Sequence, residues 1–136
     1  MRIALAQLNP LVGDLVANGE LLLRACRAAA ADAAELVLAP ELLLWGYPPR
    51  DLLLRSALLT RQSEVLGQLV AGMPAGLTLL VGAVEPADDR GGPPLHNVAV
   101  AVDRAGWRAV ARKRLLPSYD VFDERRYFRP GHGPGL

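Results

Sequence analysis

Lysine is nearly missing from this chain: of its fifteen basic residues fourteen are arginine and one, Lys113, is lysine. Arginine is a planar, permanently protonated fork, whereas lysine is a compact point charge that can move its pKa and sit beside a reacting atom. Lys113 therefore has two readings, the one unconverted lysine of an arginine-biased composition or the one cation placed for chemistry. Cysteine is as scarce. The single Cys26 excludes an internal disulfide framework and a multi-cysteine metal site. It recurs at helical spacing with Leu15, Leu22, Ala29 and Ala33, which makes it a small hydrophobe on a buried helix face rather than a nucleophile. Long apolar runs are also lacking. Residues 42–44 and 77–84 are interrupted well before the roughly 18 residues a membrane helix needs. Gln7 and Asn9 break the apolar stretch after Arg2, with no small-residue cleavage site behind them, so a signal peptide is not expected and a cytoplasmic location is. Neither sign of charge dominates. A net charge of +1 gives no general case for a nucleic acid or an anionic membrane as partner. The small clusters at Arg112, Lys113, Arg114 and at Arg125, Arg126 read as solvated faces.

What is present is a globular composition. With 136 residues, 51% hydrophobic and 21% charged, the chain is one compact domain or part of a larger one. Residues 2–8 suit a strand, closed by the turn chemistry of Asn9, Pro10 and Gly13. Asp14 is placed to cap a helix running to about Ala34. Residues 36–39 form a short continuous apolar run ending at Pro40, the pattern of a strand buried on both faces. A loop with Gly46, Tyr47, Pro48 and Pro49 leads to a helical period over residues 56–71. Three strands follow at residues 77–84, 97–102 and 107–112. A polar loop spans residues 88–94, and Asp103, Arg104, Ala105 and Gly106 form a hairpin turn. Pro130, Gly131, His132, Gly133, Pro134, Gly135 and Leu136 suit a turn into further structure, so the expectation is a chain that stops mid-fold.

In open α/β sheets reactive groups gather beyond the C-terminal ends of strands, where the loops converge. Glu41 and Lys113 each follow directly on an expected strand, so a carboxylate and an ammonium distant in sequence are expected in one crevice. For Glu41 alone a solvated strand-end charge is the plainer reading. Against it, Ala39, Pro40, Trp45, Gly46 and Tyr47 are apolar and aromatic neighbours able to push a carboxyl toward general-base duty.

Three segments carry a resemblance. The first is Ile3-Ala4-Leu5-Ala6-Gln7-Leu8-Asn9 with Gly13-Asp14 and Asn18. The second is Ala39-Pro40-Glu41-Leu42 with Trp45-Gly46-Tyr47-Pro48-Pro49-Arg50-Asp51-Leu52-Leu53. The third runs from Lys113-Arg114-Leu115-Leu116-Pro117-Ser118-Tyr119-Asp120-Val121-Phe122-Asp123-Glu124 to Phe128 and closes at Pro130-Gly131. Together they resemble the carbon–nitrogen hydrolases of the nitrilase superfamily, more narrowly the glutaminase domain of glutamine-dependent NAD synthetases. The resemblance implies an α/β fold, the N-terminal portion of a nitrilase-like α-β-β-α sandwich, with residues 1–136 forming the front of the glutaminase domain. It implies a Cys-Glu-Lys mechanism in which Glu41 is the general base and Lys113 stabilises the oxyanion, roles that thiol and acyl-transfer chemistry require. It places Tyr47 and Tyr119 near the glutamine pocket and Glu124 in support of the lysine; for each tyrosine a half-buried loop anchor is the equal alternative.

The family's nucleophilic cysteine lies beyond the lysine, and Cys26 matches no family position. The expectation is therefore a base and an oxyanion stabiliser without a nucleophile, inactive alone. No metal and no cofactor is expected in this chain. ATP and deamido-NAD would belong to a partner synthetase domain, in keeping with the absence of a Gly-x-x-x-x-Gly-Lys loop and a Gly-x-Gly-x-x-Gly fingerprint. The rival readings are a fragment of a stand-alone amidohydrolase of the same superfamily and a non-enzymatic association module. An uncovered sheet edge and apolar face predict self-association for a part-domain.

Overall fold

The computed structural model describes residues 1–88 and 91–132. One mixed sheet of five strands organises it: β1 (Ile3–Leu5), β2 (Leu36–Leu38), β3 (Thr78–Pro86), β4 (Leu95–Asp103) and β5 (Gly106–Arg112), in that spatial order. The first three strands run parallel, joined by crossovers through α1 (Leu15–Ala31) and α2 (Ser56–Gly72). The last two return as antiparallel neighbours. This is one helical layer and one sheet layer of the expected four-layer sandwich.

Local chemistry sets the element boundaries. Asp14 caps α1 as expected, its Oδ1 accepting from Ala17 N at 3.0 Å. The helix ends at Ala31 rather than Ala34. Ala33 swings to φ 56° and is exposed, off the helical face it was expected to share with Cys26, while Ala34 N donates to Ala29 O at 2.9 Å and ends the helix. Leu22 and Cys26 remain fully buried on α1. In the hairpin turn, Asp103 Oδ1 accepts from Ala105 N at 2.8 Å and Gly106 N at 3.2 Å, the local bonding that favours aspartate in turns. Of the expected polar loop, Asp89 and Arg90 lie outside the described residues, as do Gly133, Pro134, Gly135 and Leu136 of the terminal turn.

Period-two alternation places Val37, Leu79, Val81, Val100 and Val102 on the sheet face that the helices cover, all of them buried. The helices meet closely: a Cβ at Gly19 would lie 2.5 Å from Val65 Cγ1. The expectation that β2 is buried on both faces holds only at Val37, since Leu36 and Leu38 are half-buried on the opposite face. That face is open at β1, where Ile3 is 47% and Leu5 72% exposed. Neither helix is long and apolar enough to cross a membrane.

Candidate active site

Glu41 is delivered by the end of β2. Ala39 N still donates to Leu80 O at 2.9 Å, prolonging the ladder, and Gly82 N donates to Pro40 O at 3.3 Å. The chain then turns sharply. Leu42 adopts φ 51° and is fully buried, a left-handed conformation that costs a non-glycine residue about 1 kcal/mol or more and is held by its packing. Asn18 ties the turn to the entry of α1: its Nδ2 donates to Leu44 O at 3.0 Å and Leu11 O at 2.8 Å, and its Oδ1 accepts from Leu11 N at 2.8 Å. Lys113 arrives from the other side of the sheet as the residue after β5, its N–H donating to Asn97 O at 2.8 Å.

The two expected strand-end charges meet. Lys113 Nζ donates to Glu41 Oε1 at 2.7 Å and to Glu124 Oε1 at 3.1 Å, and lies 3.0 Å from Glu124 Oε2. Glu124 sits on the short 3-10 turn Glu124–Arg126 and is 5% exposed. Its Oε2 has no partner among the described residues other than the Lys113 ammonium, so its negative charge is balanced chiefly by that single ammonium. Burial lowers the pKa of Lys113, the largest single influence. The hydrogen bonds to Glu41 and Glu124 and their charges together outweigh it and hold the ammonium above the ordinary lysine value.

Tyr47 donates its hydroxyl to Glu124 Oε1 at 3.4 Å and is 42% exposed, so it touches the charge cluster while remaining at the surface. Burial first, then the charges of Glu124 and Glu41, raise its phenol pKa, with Lys113 opposing. Tyr119 is 69% exposed and meets the edge of Phe122, with ring centroids 5.8 Å apart; Phe122 in turn lies 6.3 Å from Tyr47. Tyr119 is thus neither a half-buried anchor nor in contact with the charges. Tyr47, Phe122, Glu124 and Tyr127 line a cavity of about 290 Å³. In its wall Tyr127 donates to Asp51 Oδ1 at 2.6 Å, a bond that raises the Tyr127 pKa ahead of burial. On the other side Glu41, Lys113, Asn97, Gly82, Ala99 and Ala111 line a second cleft, of about 330 Å³.

One expectation needs correction. Trp45 does not surround Glu41 with apolar bulk; it is fully buried and donates Nε1 to Gln62 Oε1 at 2.7 Å, while the Glu41 side chain is 45% exposed. Gln62 also bonds both backbone groups of Val84, at 2.7 and 2.9 Å, so the tryptophan is drawn into the core by a polar partner on α2. Two site residues escaped the sequence reading, Asn97 and Gly82. Their signal was an amide and a glycine inside otherwise apolar strands. Among the described residues no group of three or more His, Cys, Asp and Glu side chains is arranged to hold a metal ion.

Cys26 is placed away from this cluster, in the core, with its thiol pushed up to about 11 by burial. At pH 8 about one thiol in a thousand is then ionised. The folded 136-residue chain, whose one cysteine is Cys26, should resist a thiol-specific disulfide reagent at pH 8 and react with one equivalent in guanidinium. Rapid stoichiometric labelling without denaturant would refute the burial of this thiol.

The chain matches the carbon-nitrogen hydrolase family over residues 2–135 and belongs to that family. Within it, the chain matches the N-terminal glutaminase part of glutamine-dependent NAD synthetases. It is 45% identical to the glutamine-dependent NAD(+) synthetase of Synechocystis over 93% of this chain and 23% of that protein. The structure of the glutamine-dependent NAD+ synthetase of Acinetobacter baumannii superposes with a TM-score of 0.85 at 33% identity, covering 96% of this chain and 24% of that one. A variant of the Nesterenkonia amidase of the nitrilase superfamily gives a TM-score of 0.78 at 27% identity, covering 98% of this chain and 49% of the amidase. The chain therefore spans about a quarter of the length of the synthetases it matches, and the nitrilase-like fold is that of these structures.

Proposed function

We propose that this chain supplies the general base and the oxyanion stabiliser of a cysteine-dependent glutaminase that provides ammonia for ATP-dependent NAD synthesis. The observation that carries the reading is Lys113 Nζ held between Glu41 at 2.7 Å and Glu124 at 3.0 Å, with its pKa raised. A lysine kept charged in this way is a fixed cation rather than a proton shuttle, which leaves Glu41 as the group that moves the proton. In the E41Q mutant of the similar Nesterenkonia amidase, acrylamide has undergone Michael addition at the active-site cysteine, which supports a thiol as the nucleophile of that relative.

In this reading the thiol comes from a longer protein of the relatives' size, since Cys26 is buried in α1. The S–H bond breaks, its proton passes to Glu41, and sulfur bonds to the carboxamide carbon of glutamine. The carbonyl electrons move to oxygen, where Lys113 meets the developing charge. Collapse expels the nitrogen as ammonia with the proton returned by Glu41. Water then hydrolyses the thioester to glutamate and restores the thiol. Tyr47 and Tyr119 flank the approach of glutamine, and Glu124 holds the ammonium. The 136 residues alone form no thioester, and ATP and deamido-NAD belong to the synthetase domain.

The test uses the full-length protein. Glu41→Gln should abolish the rapid formation of the glutamyl thioester from glutamine while NAD formation from added ammonia persists. Thioester formation at the wild-type rate in that variant would show that another group is the base.

A further inference from the structure

We propose that Asn97 is a positioning residue for Glu41, selecting which carboxylate oxygen is free to take the proton; the proposal rests on the reading of Glu41 as the base. Asn97 lies in β4 opposite Val84 and is 3% exposed. A buried amide in an apolar strand is costly unless it is hydrogen-bonded. Its Nδ2 donates to Glu41 Oε1 at 2.6 Å, while its backbone oxygen accepts from Lys113 N at 2.8 Å. One residue thus touches both members of the pair.

The two donors on Glu41 converge. Asn97 Nδ2 at 2.6 Å and Lys113 Nζ at 2.7 Å both bond Oε1, and none of the described residues donates to Oε2. An oxygen already accepting two short bonds, one of them charge-assisted, is a poor proton acceptor. The proton goes to Oε2. Lys113 cannot perform this selection by itself, because its flexible side chain is shared with Glu124. The Glu41 side chain, 45% exposed, has three rotatable bonds and would otherwise sample several rotamers. The short amide of Asn97, fixed on a central strand, supplies the rigid contact, as supporting hydrogen bonds do for reacting groups generally.

The test compares Asn97→Leu, which keeps the size and removes the donor, with Asn97→Asp, which keeps the shape but puts an acidic oxygen in place of the donor. Both are made in the full-length protein beside Glu41→Gln. Both should lower kcat for glutamine-dependent ammonia release by about 10- to 100-fold, with KM for glutamine within about threefold of wild type. NAD formation from added ammonia should be unchanged. A role confined to folding would lower the Tm and the amount of titratable active-site thiol while leaving the rate per titrated site unchanged. If Asn97→Leu fails to fold, Asn97→Asp carries the comparison. Should Glu41→Gln lose thioester formation while the folded Asn97 variant keeps kcat within about twofold of wild type, the positioning role is wrong and the base assignment stands. If Glu41→Gln retains thioester formation, the base assignment itself fails and the proposal falls with it.

Discussion

Replacing Lys113 by arginine in the full-length protein should lower glutamine-dependent turnover by about 100- to 1000-fold, the loss that follows removal of one oxyanion donor. NAD formation from added ammonia should continue. Charge is conserved in this substitution, so the effect isolates geometry. The ammonium is a small centre with three donors, two of them directed at Glu41 and Glu124 at 2.7 and 3.1 Å. A guanidinium is a planar fork that pairs side-on with a carboxylate. Glu124, buried and with both oxygens turned toward Lys113 Nζ at 3.0 and 3.1 Å, offers that pairing. The fork would settle on Glu124, and the point charge between the two carboxylates would be lost.

The pH dependence has a defined sign. The folded pKa of Lys113 lies above the ordinary lysine value, so its stabilising contribution is fully present below that ordinary value and fades only as pH rises through the folded one. Neutral and mildly alkaline activity profiles should show no limb from this lysine. Wild-type turnover in Lys113→Arg would remove the lysine from the reaction.

The sequence showed the outline of this site but not its inner contacts. That Glu41 and Lys113 would meet was legible because strand ends converge at one edge of an α/β sheet and both charges follow strands directly. What surrounds Glu41 was not, because neighbours in sequence need not be neighbours in space. Trp45 lies only four residues from Glu41, yet the left-handed turn at Leu42 and the bond to Gln62 send it into the core. The groups that donate to the Glu41 carboxylate come instead from β4 and from the residue after β5, across long sequence separations that no local pattern records. The helix end was misplaced for a related reason: alanines continue to Ala34, but propensity does not register the left-handed step at Ala33. The main elements were legible because their hydrophobic periods are strong, from the Asp14 cap of α1 to the hairpin turn at Asp103.

Gly82→Ala should destabilise the fold and damage the site together, through a single methyl group. The backbone at Gly82 is ordinary for a strand; space is the constraint. A Cβ there would lie 2.1 Å from Leu42 N and 2.7 Å from both the Cα and the carbonyl carbon of Glu41. These are backbone atoms, so no side-chain rotation relieves the clash, and either β3 or the turn bearing Glu41 must move. Overpacking of this kind costs typically about 1–3 kcal/mol, a fall of roughly 3–10 °C in Tm for a domain of this size. Shifting Glu41 by about 1 Å from its 2.7 Å contact with Lys113 is a misplacement that can cost about 100-fold in rate.

The same substitution elsewhere provides the control. Gly67 lies exposed within α2 with nothing inside 4 Å of its would-be Cβ, so Gly67→Ala should raise stability by about 0.5–1 kcal/mol. Opposite signs for one chemical change would locate the cost of Gly82→Ala in the close approach of β3 to Glu41. A Tm and turnover unchanged from wild type in Gly82→Ala would show that the turn has room to move, and that Glu41 is not held from below by the strand it crosses.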